Sequence, residues 1–185
     1  MSSENGAGAS RAQMLDAIRG TDRFLLTTHE RPDGDAIGSL AAMQLVLTAL
    51  GKDSLACVAE DEIPLPYEYQ FFPLEGLIGA LPDDVGSRTI VFLDCGNIDR
   101  NPVGAFKREE AHILNIDHHH DNTRFGSVNW VTPEASCTAE MVWEIMRHLG
   151  IEPTATIAEA LYVGLVTDTG KFMYENTGTR AHSAS

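Results

Sequence analysis

The sequence predicts an α/β fold, in which a mostly parallel β-sheet carries helices on both faces. Apolar runs such as Phe24–Leu26 and Ile90–Leu93 show little alternation, which is typical of strands buried on both sides. Segments with helical patterns separate these runs, as expected for the connections between parallel strands. Acidic and histidine residues follow several of the runs directly, which is where open parallel sheets bind their ligands.

The N-terminal part of the chain is predicted to begin with a leader and a short helix. Residues 1–9 are small and polar, and we expect a disordered leader there. A capping-box pattern begins at Ser10 and a glycine follows at Gly20, so a short amphipathic helix is expected between them. The next expected elements are a strand at 24–28, a helix at 36–50 and a strand at 54–59.

The rest of the chain continues the alternation of strands and helices. The expected elements are a short helix at 67–72, strands at 89–93 and 112–116, and helices at 137–149 and 156–166. A further helix begins at 178–182, just before the sequence stops. We therefore expect one domain at 10–185 that is truncated at its C-terminal end.

Composition excludes several classes of protein. The formal net charge is -14, from 27 acidic residues against 13 Lys and Arg, so no basic surface for duplex DNA is expected. The apolar runs are too short to span a membrane, and the N-terminus lacks the features of a signal peptide, so a cytoplasmic protein is expected. Cys57, Cys95 and Cys137 are widely spaced and odd in number, which favours free thiols.

Four of the predicted core segments end in residues of the kinds that bind metal ions. Because the carboxyl ends of parallel strands lie at one edge of a sheet, side chains far apart in sequence are expected to converge there. The residues are His29, Asp33 and Asp35 after the first strand, Asp94 after 89–93, Asp117, His118 and His119 after 112–116, and Asp168 at the end of the helix at 156–166.

This set of side chains suits a pair of divalent cations. A two-metal site needs hard oxygen donors, some imidazoles and a bridging carboxylate, with the ions roughly 3.5–4 Å apart. Carboxylates with some imidazole favour Mn²⁺ or Mg²⁺ over ions that prefer thiolates. Water activated by such ions would attack phosphorus, so metal-assisted hydrolysis of a phosphate ester is expected. A single Asp at a strand end is more often a cap or turn residue, and the prediction depends on the whole set.

In these motifs the sequence resembles the DHH phosphoesterase family, named for its Asp-His-His motif. The matching segments occur in the family's order: His29–Ser39, Val91–Asp94, Asp117–His119 and Gly164–Gly170. The resemblance implies that residues 10–185 are the N-terminal DHH catalytic domain and that a C-terminal substrate domain is absent. It also implies one Mn²⁺ held by His29, Asp33 and Asp94, and a second held by Asp35, Asp94, His118 and Asp168. His119 would contact the scissile phosphate or help proton transfer, and Asp117 would orient the histidines.

Within that family, the segments Asp121–Gly126 and Glu134–Glu140 resemble the branch of oligoribonucleases and 3′-phosphoadenosine 5′-phosphate (pAp) phosphatases. Cys137 stands where that branch more often has Ser or Thr. The resemblance implies a short oligonucleotide or a small phosphorylated nucleotide as substrate, with Mg²⁺ or Co²⁺ as alternatives to Mn²⁺ and a homodimer as an open question. The alternatives are a manganese-dependent inorganic pyrophosphatase, a phosphodiesterase of cyclic or linear dinucleotides, and a non-catalytic metal- or nucleotide-binding module.

Overall fold

The core of the molecule is a parallel sheet of six strands, in the order β3-β2-β1-β4-β5-β6. The computed structural model describes residues 2–72, 74, 76–101 and 111–184. The strands are β1 (Arg23–Thr27), β2 (Asp53–Cys57), β3 (Leu77–Ile78), β4 (Thr89–Leu93), β5 (Ile113–Asp117) and β6 (Val128–Val131). Every pairing between them is parallel, which confirms the predicted α/β fold class.

The side of the sheet on which the chain adds strands changes between β1 and β4. The chain adds β2 and then β3 on one side of β1, and it returns to add β4, β5 and β6 on the other side. Leu25 of β1 pairs with Leu55 on one side and with Ile90 on the other. At such a reversal the connections leave in opposite directions, so a crevice opens at the carboxyl ends of the two strands.

Alternate residues of the central strands belong to two separate cores. Phe24 and Leu26 lie in the larger core, which they share with residues of the helices. The intervening Leu25 lies in the smaller core with Phe92, against which Val85 and Ile98 pack. The helices are α1 (Ser2–Arg19), α2 (Gly34–Ala49), α3 (Thr138–His148), α4 (Ala155–Asp168) and α5 (Thr179–Ala184). In the described ranges, the smaller core is covered by loops and by the 3₁₀ helices Val85–Ser87 and Ile98–Arg100.

Four elements differ from the sequence-based expectations. Helix α1 begins at Ser2, so residues 2–9 are helical where a disordered leader was expected. Small residues and Glu are compatible with a helix, and the Ser10 capping pattern therefore lies inside the helix rather than at its start. Strands β3 and β6 were not predicted, because two and four residues leave too little pattern to recognise. The short helix expected at 67–72 is a 3₁₀ helix over Tyr67–Tyr69.

Helices α2 and α4 cross at glycines. A Cβ atom on Gly38 of α2 would lie 2.5 Å from the backbone oxygen of Ala160 in α4, and one on Gly164 of α4 would lie 2.8 Å from Asp35 Oδ1. Only residues without a side chain allow the two backbones to approach this closely. The crossing therefore brings Asp168, at the end of α4, near Asp35 in the first turn of α2. None of the helices in the described part of the chain is both long and apolar enough to cross a membrane.

Candidate metal centre

The loop from β1 to α2 fixes His29 and Asp33 through backbone contacts. His29 is buried, and its Nδ1 lies 2.7 Å from the carbonyl oxygen of Glu30, so Nε2 is the nitrogen that faces the site. Asp33 is the N-cap of α2, where its Oδ1 accepts the backbone N–H groups of Asp35 and Ala36 at 3.0 and 3.1 Å. This cap uses Oδ1, so Oδ2 is the oxygen open to a ligand.

Asp94 lies at the centre of the cluster, immediately after β4. Its backbone φ is 57°, a left-handed conformation that few residues other than glycine adopt. Its Oδ2 lies 3.6 Å from His29 Nε2, and its Oδ1 lies 3.5 Å from His118 Nε2. Burial alone would raise the pKa of this carboxyl, but the hydrogen bond from His29 and the charges of His118 and His119 hold that pKa below its ordinary value.

Asp35 is almost completely buried and joins two helices. Its two carboxylate oxygens accept the backbone N–H groups of Thr138 and Ala139 of α3, at 2.7 and 2.9 Å. Burial, followed by the negative charges of Asp94 and Asp168, raises the pKa of Asp35 well above its ordinary value. A carboxylate in this position is therefore costly unless a cation lies beside it.

His118 faces three carboxylates through a single nitrogen. Its Nε2 lies 3.8 Å from Asp168 Oδ2, 3.9 Å from Asp35 Oδ2 and 3.5 Å from Asp94 Oδ1. Asp168 is oriented by Asn176, whose Nδ2 donates to Asp168 Oδ2 at 3.1 Å. Burial raises the pKa of Asp168, His118 lowers it, and the charge of Asp94 raises it further, so the net shift is upward.

Asp117 and His119 form a hydrogen-bonded pair beside this cluster. His119 Nδ1 lies 2.8 Å from Asp117 Oδ1, and Asn122 Nδ2 donates to the other oxygen of Asp117 at 2.6 Å. The bond to the fully buried Asp117 is the main reason that the pKa of His119 is raised to about 9. The sequence led us to expect that Asp117 orients both histidines. The contact that the structure shows is with His119.

The side chains form three groups that could each hold a metal ion, and in each group one ligand atom per residue lies within 4.8 Å of the others. Two of the groups share no residue: His29, Asp33 and Asp94 form one, and Asp35, His118 and Asp168 form the other. The third group, Asp94, His118 and His119, overlaps both of them. Asp94 lies within 3.5 Å of His118, so it is placed to serve both groups. Burial and the neighbouring carboxylates raise the pKa of both Asp35 and Asp168, so their charged forms are costly without a cation nearby. The donor set therefore fits hard divalent cations.

Three residues that contact the candidate site residues were not predicted from the sequence. Thr138 donates from Oγ1 to Asp94 Oδ1 at 2.9 Å, Asn122 holds Asp117, and Asn176 holds Asp168. Thr138 and Asn122 lie inside the segments that resemble the oligoribonuclease branch, which was the available signal. Asn176 lies outside those segments, so no sequence signal indicated its role. His112 and His148 contact other partners, a side chain of β4 and the backbone of α3, as expected for histidines outside the site.

Residues 23–165 match the model described as the DHH family, N-terminal domain. The chain belongs to the DHH family. The match includes all of the candidate ligands except Asp168, which lies three residues beyond its end.

Two curated relatives of this DHH chain carry the same name. The "Bifunctional oligoribonuclease and PAP phosphatase NrnA" of Thermus thermophilus is 38% identical over 170 residues, covering 90% of this chain and 48% of the relative. The protein of that name in Bacillus subtilis is 28% identical over 173 residues, covering 90% of this chain and 52% of the relative. The chain thus spans about half the length of these relatives.

Solved structures share the fold of this DHH chain at low sequence identity. An exopolyphosphatase-related protein from Bacteroides fragilis superposes with a TM-score of 0.74 at 22% identity, covering 96% of this chain and 55% of that one. A putative family II inorganic pyrophosphatase from Methanococcus jannaschii gives 0.62 at 18%, covering 87% and 53%. The exonuclease RecJ bound to manganese gives 0.57 at 16%, covering 97% and 46%.

Proposed function

We propose that this chain carries the metal centre of a phosphoesterase that hydrolyses short oligoribonucleotides or pAp with two divalent cations. The observation that carries the proposal is the convergence of His29, Asp33, Asp35, Asp94, His118 and Asp168 into two adjacent groups of ligand atoms. These groups lie at the carboxyl edge of β1 and β4, where the sheet reverses its strand order.

In this proposal each group of ligands binds one ion, and Asp94 bridges the two. His29 and Asp33 complete the first site, and Asp35, His118 and Asp168 complete the second. Bound ions of this kind lower the pKa of water and neutralise the charge that develops on a phosphate during hydrolysis. Mn²⁺ is our first choice, because the site mixes carboxylates with imidazole and the similar RecJ structure is described as bound to manganese.

We propose that His119 acts on the substrate through the proton on its Nε2 nitrogen. Asp117 accepts the bond from Nδ1, so Nε2 is the nitrogen that remains for a substrate. With a pKa of about 9, the imidazole is protonated at neutral pH and presents a positive N–H group. Such a group can bind a phosphate oxygen or give its proton to a leaving oxygen. The side chain is about one third exposed (34%), so a substrate can reach it.

The substrate class in the proposal rests on the relatives and on charge. Both of the relatives described above are named as oligoribonuclease and PAP phosphatase. With a formal net charge of -14, this chain lacks the excess of basic residues that long nucleic acids require, and a short substrate that binds largely through cations suits it better. Half of the length of those relatives lies outside the region of similarity, and contacts that select the substrate are expected there as well.

A test compares three substrates on one preparation. The purified chain is freed of metal, supplied with MnCl₂ and kept in excess over a 5′-labelled diribonucleotide, pAp or pyrophosphate, so that slow hydrolysis is detected. We expect mononucleotide from the first substrate and inorganic phosphate from the second. Asp94→Ala should reduce both rates by more than the roughly 10–100-fold that changes outside the ligand set cost. Asp16→Ala, an exposed change on α1, is the matched control and should leave both rates unchanged.

Each other result points to a different function. Hydrolysis of pyrophosphate alone would identify an inorganic pyrophosphatase, and persistence of nucleotide hydrolysis in Asp94→Ala would exclude a shared bridging ligand. Binding of Mn²⁺ without hydrolysis of any of the three substrates would favour a metal- or nucleotide-binding module. A cyclic dinucleotide added as a fourth substrate would reveal a phosphodiesterase of that class.

A further inference from the structure

An exposed arginine lies at the edge of the metal centre without a carboxylate partner among the described residues. Arg100 is the last residue of the 3₁₀ helix Ile98–Arg100, which follows β4. Its Nη2 lies 3.4 Å from Nδ1 of His29, and its charge also reaches His119, where it lowers the pKa. In a chain with 27 acidic residues and 13 basic ones, an arginine beside a carboxylate cluster but not paired with it needs an explanation.

The backbone of Arg100 is held from both sides. Its carbonyl oxygen accepts the N–H of Glu30 at 2.7 Å, which ties it to the loop that carries His29. Its own N–H donates to the carbonyl oxygen of Asn97 at 3.0 Å. The next residue, Asn101, is buried and donates to Thr27 Oγ1 and to the carbonyl oxygen of Thr28, at 2.9 and 2.5 Å. The guanidinium therefore extends from a fixed base rather than from a free loop.

The contact with His29 does not use the donors of the guanidinium. A carbonyl oxygen can only accept, so the 2.7 Å contact with Glu30 means that His29 Nδ1 carries the proton. A protonated nitrogen cannot accept a second N–H, and the 3.4 Å approach of Arg100 is thus a packing contact. Within the described part of the chain, the side-chain donors of Arg100 have no other acceptor. Five N–H donors in a planar fork match the oxygens of a phosphate.

The imidazole of His29 separates Arg100 from the ion sites. Its Nε2 faces Asp94 at 3.6 Å, and its opposite nitrogen, Nδ1, faces Arg100. The imidazole ring of His29 therefore lies between the guanidinium of Arg100 and the other candidate ligand atoms. A phosphate held by the ions and a phosphate held by Arg100 are consequently two different groups of the substrate.

We infer that Arg100 binds a second phosphate of the substrate, next to the one that is hydrolysed. The inference rests on the proposed function and makes its substrate class narrower. Two phosphates on opposite sides of one ribose, as in pAp or between successive nucleotides of RNA, can occupy both places. The two phosphoryl groups of pyrophosphate share one oxygen and lie too close together to do so.

Binding of two nucleotides to the whole chain tests the inference without relying on turnover. The chain is loaded with Ca²⁺ to suppress hydrolysis and titrated by calorimetry with pAp and with adenosine 3′-phosphate, which keeps the phosphate that is hydrolysed and lacks the second one at the 5′ position. The original chain should bind pAp roughly 10–100-fold more tightly, as expected for charge-assisted hydrogen bonds. Arg100→Gln should reduce that ratio to about one, because its effect falls on pAp alone. Arg100→Lys should retain part of it, and Arg19→Gln on α1 should retain all of it.

The outcomes separate this inference from the function on which it rests. An unchanged ratio in Arg100→Gln, with both nucleotides still bound, overturns the role of Arg100 and leaves the phosphoesterase proposal intact. Equal weakening of both nucleotides, accompanied by weaker Mn²⁺ binding, overturns it too and makes Arg100 a positioning residue for His29. If the original chain binds Mn²⁺ but neither nucleotide, the proposed function and the inference both fail.

Discussion

The carboxylate of Asp35 accepts a 2.7 Å hydrogen bond from the backbone N–H of Thr138, a residue 103 positions later in the chain. Helix α3 begins there, and its own N-cap residue, Cys137, makes no capping bond with its side chain. Asp35 supplies that interaction from α2 instead, through Thr138 and Ala139. A proposed ligand of the second ion thus also caps a helix, and the position of α3 is coupled to the site.

Thr138 also reaches the shared ligand, which leads to a prediction about metal affinity. Its Oγ1 donates to Asp94 Oδ1 at 2.9 Å, so Thr138→Val removes that bond while its backbone bond to Asp35 remains possible. We expect Mn²⁺ affinity to fall roughly 10–100-fold, because a group that orients a ligand is lost. Calorimetric titration with Mn²⁺ measures the change. Thr138→Ser keeps the hydroxyl and should restore affinity; equal affinities for the valine and serine variants would contradict the assignment.

The carboxylate of Asp168 is predicted to destabilise the metal-free protein and to contribute to metal binding. Its pKa is raised in the folded chain, so protonation stabilises the metal-free protein; that contribution is fully present below the unfolded pKa of 3.8 and is lost as the pH rises through the folded pKa. We expect metal-free Asp168→Asn to be more stable than the original chain at pH 8 and to differ less near pH 4.

Urea unfolding at the two pH values measures this difference. Mn²⁺ should raise the unfolding midpoint of the original chain much more than that of Asp168→Asn, because one ligand is missing from the variant. If the variant is less stable than the original chain at pH 8 without metal, the carboxylate is balanced within the protein and the reasoning is wrong.

A network of ion pairs at the opposite edge of the sheet predicts sensitivity to acid. Arg88 Nη2 donates to Asp53 Oδ2 at 2.9 Å, and this bond holds the pKa of Asp53 below 3.8 against a small opposing effect of burial. Its stabilising contribution is present above pH 3.8 and is lost as the pH falls through the lower, folded pKa. Asp53→Asn should therefore lower the free energy of unfolding at pH 7 by up to about 1 kcal/mol, as for exposed ion pairs.

Guanidinium chloride unfolding at pH 7 and at pH 2 tests this prediction. The difference in stability between the two proteins should become smaller at the lower pH, because protonation removes the charge of Asp53. Asp22→Asn, which changes an exposed carboxylate of the loop before β1, serves as the comparison. A difference between Asp53→Asn and the original chain that is undiminished at pH 2 would mean that the network is not the cause.

Gly38 is predicted to tolerate no side chain. A Cβ there would meet the backbone oxygen of Ala160 at 2.5 Å, so α4 must move and carry Asp168 away from Asp35. Gly38→Ala should cost about 1–3 kcal/mol of stability, as overpacked cores do. It should also weaken the binding of one of two Mn²⁺ ions. Gly86→Ala is the control, since no atom lies within 4 Å of a Cβ there. Two undisturbed Mn²⁺ ions in Gly38→Ala would show that the crossing does not set the site.

The sequence predicts the site better than it predicts the groups that support it. Strands β1, β4 and β5 are largely apolar runs, and most of the candidate ligands lie soon after them, so pattern and position are enough to predict these residues. The bonds of Thr138 join residues 44 and 103 positions away, and only the folded chain shows them. Cys137 looked like a departure from the family pattern, and the structure explains why a poor capping residue is acceptable there, since Asp35 satisfies the helix end. Arg100 lies in a loop without a periodic pattern.

The order of the candidate ligands along the chain determines when the two proposed ion sites can form during synthesis. His29, Asp33 and Asp94 all precede residue 95, whereas His118 and Asp168 emerge from the ribosome later. Because Asp94 bridges the two groups in our proposal, a nascent chain could acquire its first cation before α4 exists. The second cation would bind only after α4 packs across Gly38, so the complete pair of ions would report that α4 has docked.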